Sequence, residues 1–164
     1  MPAPFLRASC FWLLTGTADC WKCSQSTQVS AIALAGYDEL VDDAEWEWVD
    51  GRSLLSYISG VDPVSLRAIQ DVAPWLRYGR SATVDTTYLS NHCLHCGALQ
   101  GDWFLADAGS VFFPTDQSEM QDFAVYRFDL PLAIDAQPSF SGWHDWLPLA
   151  DASFKKPSRG TETR

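Results

Sequence analysis

Four of the chain's five cysteines stand in two Cys-x-x-Cys pairs, Cys20-Trp21-Lys22-Cys23 and Cys93-Leu94-His95-Cys96. Thiolates at that spacing converge on one ion from a single tight turn. Two such turns supply the four sulfurs, each about 2.3 Å from the metal, that a tetrahedral structural zinc site requires. A complete set of four leaves no position for water or substrate. The expected cofactor is therefore one structural Zn2+ on Cys20, Cys23, Cys93 and Cys96, a strut with no catalytic part.

The same dipeptide-bridged cysteines also serve thiol-disulfide oxidoreductases. Those motifs usually stand once, at a helix N-terminus after a strand. Here two pairs are each framed by strand-like segments, and neither has the Gly-Pro interior of thioredoxin-like sites. A thiol oxidoreductase remains the enzymatic alternative, and a nucleic-acid-associated ribbon is a second one. The chain contains no HExxH, no GxSxG and no glycine-rich phosphate loop, so no catalytic residue is assigned and the chain is read as a non-enzyme.

The histidines add little. His95 lies inside the second knuckle and His92 just before it, where either could replace a cysteine only if the site rearranged. His144 sits between Trp143 and Asp145 in an aromatic cluster, a setting that reads as packing. Cys10, beside Phe11 and Trp12, reads as a small buried hydrophobe.

The elements that must position the cysteines follow from local patterning. Phe11 to Leu14 and Val29 to Leu34 read as strands flanking the first knuckle, and Thr83 to Leu89 and Trp103-Phe104-Leu105 as strands flanking the second. Between Cys23 and Cys93 lie 69 residues, far more than the roughly 15–20 of a compact ribbon. The insertion must carry its own structure. Asp62-Pro63 opens a helix, with Asp62 as N-cap and Pro63 at the first helical position, and Val64, Ala68, Ile69 and Val72 on one face. Pro74 ends or kinks it, and Gly79 stops the segment of Trp75, Leu76 and Tyr78. Downstream, Phe112-Phe113-Pro114 and Phe123 to Leu130 are strand-like. Pro138 to Leu149 is a loop or short helix whose Phe140, Trp143, Trp146 and Leu147 cap the core.

The sequence from Asn91 runs Asn-His-Cys-Leu-His-Cys-Gly-Ala-Leu-Gln-Gly-Asp, ending at Asp102. With the upstream Cys-Trp-Lys-Cys it resembles a group of bacterial proteins of unassigned function that carry a zinc ribbon split by a long insertion. The resemblance covers the two knuckles and their flanks, about a fifth of the chain, and implies a zinc-stabilised domain without bringing an activity. Gly97 supplies the positive φ that such a knuckle needs. Gln100, Gly101 and Asp102 read as a tight turn, with Asp102 bonding local backbone.

Eleven basic against 21 acidic residues give a formal charge of −10. Two charges from zinc less four from thiolates would make it −12. Such a chain repels phosphate backbones, so direct nucleic-acid binding is disfavoured and a basic protein partner is expected. The acids concentrate at Asp38, Glu39, Asp42, Asp43, Glu45, Glu47 and Asp50, without Lys or Arg among them and with Trp46 and Trp48 interleaved. This run is either a docking patch for a cationic surface, with the tryptophans as anchors, or a solvated face whose tryptophans pack inward. No small-molecule substrate is evident.

No apolar run reaches the roughly 18–20 residues of a membrane span. The N-terminal apolar stretch is too brief for a signal peptide. These features point to the cytoplasm, where thiols stay reduced. The expected fold class is α+β: an antiparallel sheet around a split four-cysteine zinc ribbon with a helical insertion. One domain is expected over 1–154, with the insertion at 24–92 and a disordered polar tail at 155–164.

Overall fold

Antiparallel sheet makes up most of the chain. The computed structural model describes residues 5–42, 44–107 and 109–149; the tail expected at 155–164 lies outside them. Along the chain come β1 (Phe5–Ala8), β2 (Phe11–Asp19), β3 (Ser26–Val41), β4 (Glu45–Val61), α1 (Pro63–Val72), β5 (Leu76–Ser81), β6 (Thr86–His92), β7 (Leu99–Gln100), α2 (Asp102–Ala106), β8 (Ala124–Phe128) and β9 (Leu132–Ser139). Short 3-10 turns cover Gln117–Asp122 and Gly142–Trp146.

The strand order is β5-β6-β4-β9-β1-β3-β2-β8, with β7 beside β6 and a further pairing of β4 with β3. Because β3–β4, β4–β9, β9–β1 and β1–β3 are all paired, the ladder closes on itself and the sheet curls around its core. The apolar run of β2 shows how both faces are used. Phe11 and Leu13 point into one cluster with Leu6, Ile32, Leu34, Tyr37 and Ile134. Trp12 and Leu14 point into another with Val29, Ala33, Leu105, Phe112 and Trp143. A strand buried on both faces reads as continuous apolar sequence.

The insertion holds the expected helix and much more sheet. In α1 the Asp62 carboxylate accepts from the Ser65 N–H at 2.8 Å, and its second oxygen accepts from Ala133 at 3.0 Å. Burial opposes its charge, but these amides outweigh that and hold the carboxyl below its ordinary value. Around the helix, β3 and β4 form a long hairpin that belongs to the main sheet.

Three local readings change. The segment after Pro74 is strand β5, with Gly79 inside it: a Cβ there would lie 2.6 Å from His92 Nε2. Trp103-Phe104-Leu105 lies in helix α2, and Phe112-Phe113-Pro114 in a turn region. Short apolar runs carry no decisive period, so tertiary packing chooses among strand, helix and turn. Among the described residues no helix is long and apolar enough to cross a membrane.

Candidate metal centre

Both knuckles sit at hairpin ends and repeat one hydrogen-bond pattern. In the first, between β2 and β3, the Cys20 N–H donates to the Gln25 carbonyl and the Ser24 N–H to the Cys20 carbonyl, both at 2.9 Å. In the second, between β6 and β7, Cys93 N–H donates to Ala98 at 2.9 Å and Gly97 N–H to Cys93 at 3.0 Å. Each turn aims two amides at its first sulfur: Lys22 and Cys23 at Cys20 Sγ (3.3 and 3.5 Å), His95 and Cys96 at Cys93 Sγ (3.3 and 3.5 Å).

The two hairpins are docked by side chains. Asn91, fully buried at the end of β6, accepts from the Ser30 N–H at 2.7 Å and donates to the Ser30 carbonyl at 3.0 Å, so its amide acts as one residue of a neighbouring strand. The Leu94 N–H donates to Thr27 Oγ1 at 2.9 Å, and the Trp21 indole N–H to the Leu99 carbonyl at 2.7 Å. Gln100 Nε2 crosses the junction to Cys20 Sγ at 3.3 Å.

The result is four sulfurs that all lie within 4.8 Å of one another. Cys20 and Cys96 are 3.6 Å apart, Cys23 and Cys93 3.7 Å. Sulfurs 2.3 Å from the centre of a tetrahedron are about 3.8 Å apart, whereas a disulfide requires about 2.05 Å. The cluster therefore fits one metal ion, and the close pairs join opposite knuckles.

Charge at the sulfurs is distributed unevenly. At Cys20 burial raises the pKa, but the amides of Cys23 and Lys22, with Cys96 and Gln100, outweigh it and bring the thiol down to about 6. Cys93 is lowered in the same way, its two amides overcoming burial. Cys23 receives the Gln25 backbone contact, yet burial and the neighbouring sulfurs push it up to about 11. The backbone thus favours the thiolate form at Cys20 and Cys93, and a cation at the centre would favour it at all four sulfurs.

None of the histidines joins the set. His92 is buried with Nδ1 donating to the Ser90 carbonyl at 3.0 Å, and His95 Nε2 donates to the Ser26 carbonyl at 3.0 Å, a further tie between the knuckles. His144 closes the first turn of its 3-10 segment, where Nδ1 accepts from the Ser141 N–H at 3.2 Å. Cys10 is half-buried against the cluster around Trp12.

The acidic run occupies the far end of the β3–β4 hairpin. Directly paired residues share a face, so Glu39 and Glu47 face one way, with Val41 and Glu45, while Asp38 and Trp48, Leu40 and Trp46 face the other. Asp38 is buried, 3.4 Å from Arg7 Nε, and the Arg7 guanidinium lies 3.9 Å over Trp46. Trp48 covers Gly36, where a Cβ would approach to 2.5 Å. Asp42, Glu45, Glu47 and Asp50 are exposed; Asp43 is outside the described residues.

Asp102 does not bond its own turn. Its carboxylate accepts from the N–H of Tyr57, 45 residues away, at 2.7 Å. The long-range roles of Asn91, Gln100 and Asp102 were missed in the sequence, although all three belong to the quoted motif.

Comparison with protein-family models, curated proteins and solved structures gives no match. The reading of this centre therefore rests on its geometry.

Proposed function

We propose that the chain is a zinc-stabilised, non-catalytic protein of the reducing cytoplasm that binds a basic protein partner, as an inhibitor, an immunity-type partner or an adaptor. The observation that carries the zinc assignment is the spacing of the four sulfurs, with amides already aimed at Cys20 and Cys93. Four-sulfur sites of this kind close the coordination sphere and serve structure.

The partner assignment is supported by the hairpin end. Glu39 lies directly opposite Glu47, an arrangement that costs stability and that a cationic surface would relieve. Trp46 and Trp48 are engaged with Arg7 and Gly36, so the docking face is that of the glutamates, with Asp42 beside it.

Purified, reduced protein should contain about one zinc per chain, and Cys20→Ser or Cys96→Ser should lose metal and unfold. Metal analysis without stoichiometric zinc would overturn the assignment. A pull-down identifies the partner; charge reversal of Asp42, Glu45 and Glu47 to Lys should then slow association, and added salt should mimic it. Unchanged affinity would leave the hairpin end as a solvated face. Thiol redox chemistry is the second reading, favoured by the low pKa of Cys20.

A further inference from the structure

A cavity of about 340 Å³ opens between the Leu54–Ile58 part of β4, helix α2 and the Ser139–His144 segment. Its volume is at the low end of small-molecule sites, roughly 300–1,000 Å³. Tyr57, Trp103, Phe113, Phe140 and Trp143 contribute to its walls. Trp103 is 75% exposed, and Phe113 and Phe140 are exposed as well, so large aromatic surface is left open to water around one hollow. Exposed apolar surface marks interaction sites, and where it lines a concavity it suits a small ligand.

Asp102 is the only carboxylate in this lining among the described residues, and no Lys or Arg borders the cavity among them. His144, also in the wall, is kept neutral: burial lowers its pKa against the Arg52 backbone and Asp145, and its Nδ1 is already an acceptor. Asp102 has one hydrogen-bond donor to its carboxylate, the Tyr57 N–H, and its second oxygen has none among the described residues. Tyr57 is held at φ 50°, in the left-handed region, where the β4–β9 ladder shifts register between Ser56 and Gly60. Strained residues and ladder irregularities cluster beside binding and active sites as well as at sheet edges.

We propose that this cavity binds a small organic cation, a primary ammonium on an apolar body, with the ammonium on the free oxygen of Asp102 and the body among the aromatic rings. A carboxylate with an unfilled acceptor takes an N–H donor of opposite charge, and aromatic faces attract the same cation. An anion would meet the Asp102 charge without a compensating base. A neutral hydroxyl could donate a hydrogen bond to the half-buried carboxylate but would leave its charge uncompensated. Desolvation pushes the Asp102 pKa up to about 7 against the single opposing hydrogen bond from the Tyr57 N–H. Other titratable groups nearby are the phenols of Tyr57 and Tyr88. Lys22 and Arg80 border a second hollow that Asp102 also lines, and neither forms an ion pair with it.

The test is titration of the zinc-loaded full chain at pH 8, by calorimetry and tryptophan fluorescence, with three probes of one shape: phenethylammonium, 2-phenylethanol and 3-phenylpropionate. Phenethylammonium should bind at least tenfold more tightly than the alcohol, and the carboxylate should not bind. Asp102→Asn, which keeps an acceptor for Tyr57, should reduce the ammonium to the level of the alcohol, and Trp103→Ala should weaken it several-fold. A second measurement needs no variant: lowering the pH to 5.5 protonates Asp102 but not the amine, so the preference should fall at least tenfold. Equal affinity for ammonium and alcohol, a preference that survives at pH 5.5, or no binding of phenethylammonium at millimolar concentration would overturn the proposal.

Discussion

Ser24 and Gly97 occupy the same position in the two knuckles, four residues after the first cysteine, and both adopt left-handed backbone, at φ 67° and φ 78°. Each donates its N–H to the carbonyl of that cysteine. One turn solves the geometry with glycine, the other with a residue that bears a Cβ.

This asymmetry sets opposite outcomes for two substitutions. Ser24→Gly removes a Cβ penalty of about 1 kcal/mol but adds unfolded-state entropy, so it should be neutral to stabilising by about 0.5 kcal/mol. Gly97→Ala should cost about 1–2 kcal/mol. Chemical denaturation of the zinc-loaded proteins checks both; a destabilised Ser24→Gly would show that the serine side chain matters more than its backbone.

Chelation separates the structural from the redox reading. With zinc bound, thiol reagents should react slowly except at Cys10, the one half-buried cysteine outside the cluster, and insulin reduction should not be catalysed. A strong chelator should release four reactive thiols together and lower the melting temperature sharply, because structural zinc contributes on the order of 10 kcal/mol. Disulfide reductase activity in the zinc-loaded protein would establish the redox reading instead.

The cross-strand pair of Glu39 and Glu47 should be measurable without any partner. Glu47→Lys replaces a repulsive pair by an attractive one and should stabilise the protein by about 0.2–1 kcal/mol at low salt, less at high salt. An effect of the opposite sign would mean that Glu47 has a structural role beyond this pair.

For pH dependence, Asp102 and Asp62 act in opposite directions. The folded-state pKa of Asp102 is raised, to about 7, so its contribution is full below the unfolded value of about 3.9 and is lost as pH rises to about 7. That of Asp62 is lowered, so its contribution is present above the unfolded value and lost as pH falls through the folded one. Asp102→Asn should therefore gain stability relative to wild type between pH 5 and pH 8. The phenols of Tyr57 and Tyr88, pushed up by burial and by Asp102, stay neutral in that interval. Thermal melts at the two pH values, both with zinc, decide the matter: a constant difference would place the Asp102 pKa near its ordinary value.

The sequence by itself determined the two cysteine pairs of the cluster and the start of α1, because both depend on groups a few residues apart. Two cysteines three positions apart share one turn wherever that turn lies, and Asp62 caps Ser65 from three residues away. The general antiparallel character of the sheet was legible for a related reason: β2 and β3 adjoin the first knuckle, and a short connection favours that pairing. What only the tertiary structure decided are relations across long separations. Asn91 holds Ser30 across 61 residues, and Asp102 holds Tyr57 across 45. The acidic run, continuous in sequence, is divided by strand alternation, leaving Glu39, Glu45 and Glu47 on one face and Asp38 beside Arg7 on the other. The aromatic cavity belongs to the same class, since its walls come from β4, α2 and the segment after β9. Such sites depend on which elements pack together, and packing is set by the burial of all the apolar faces at once; no local spacing records it.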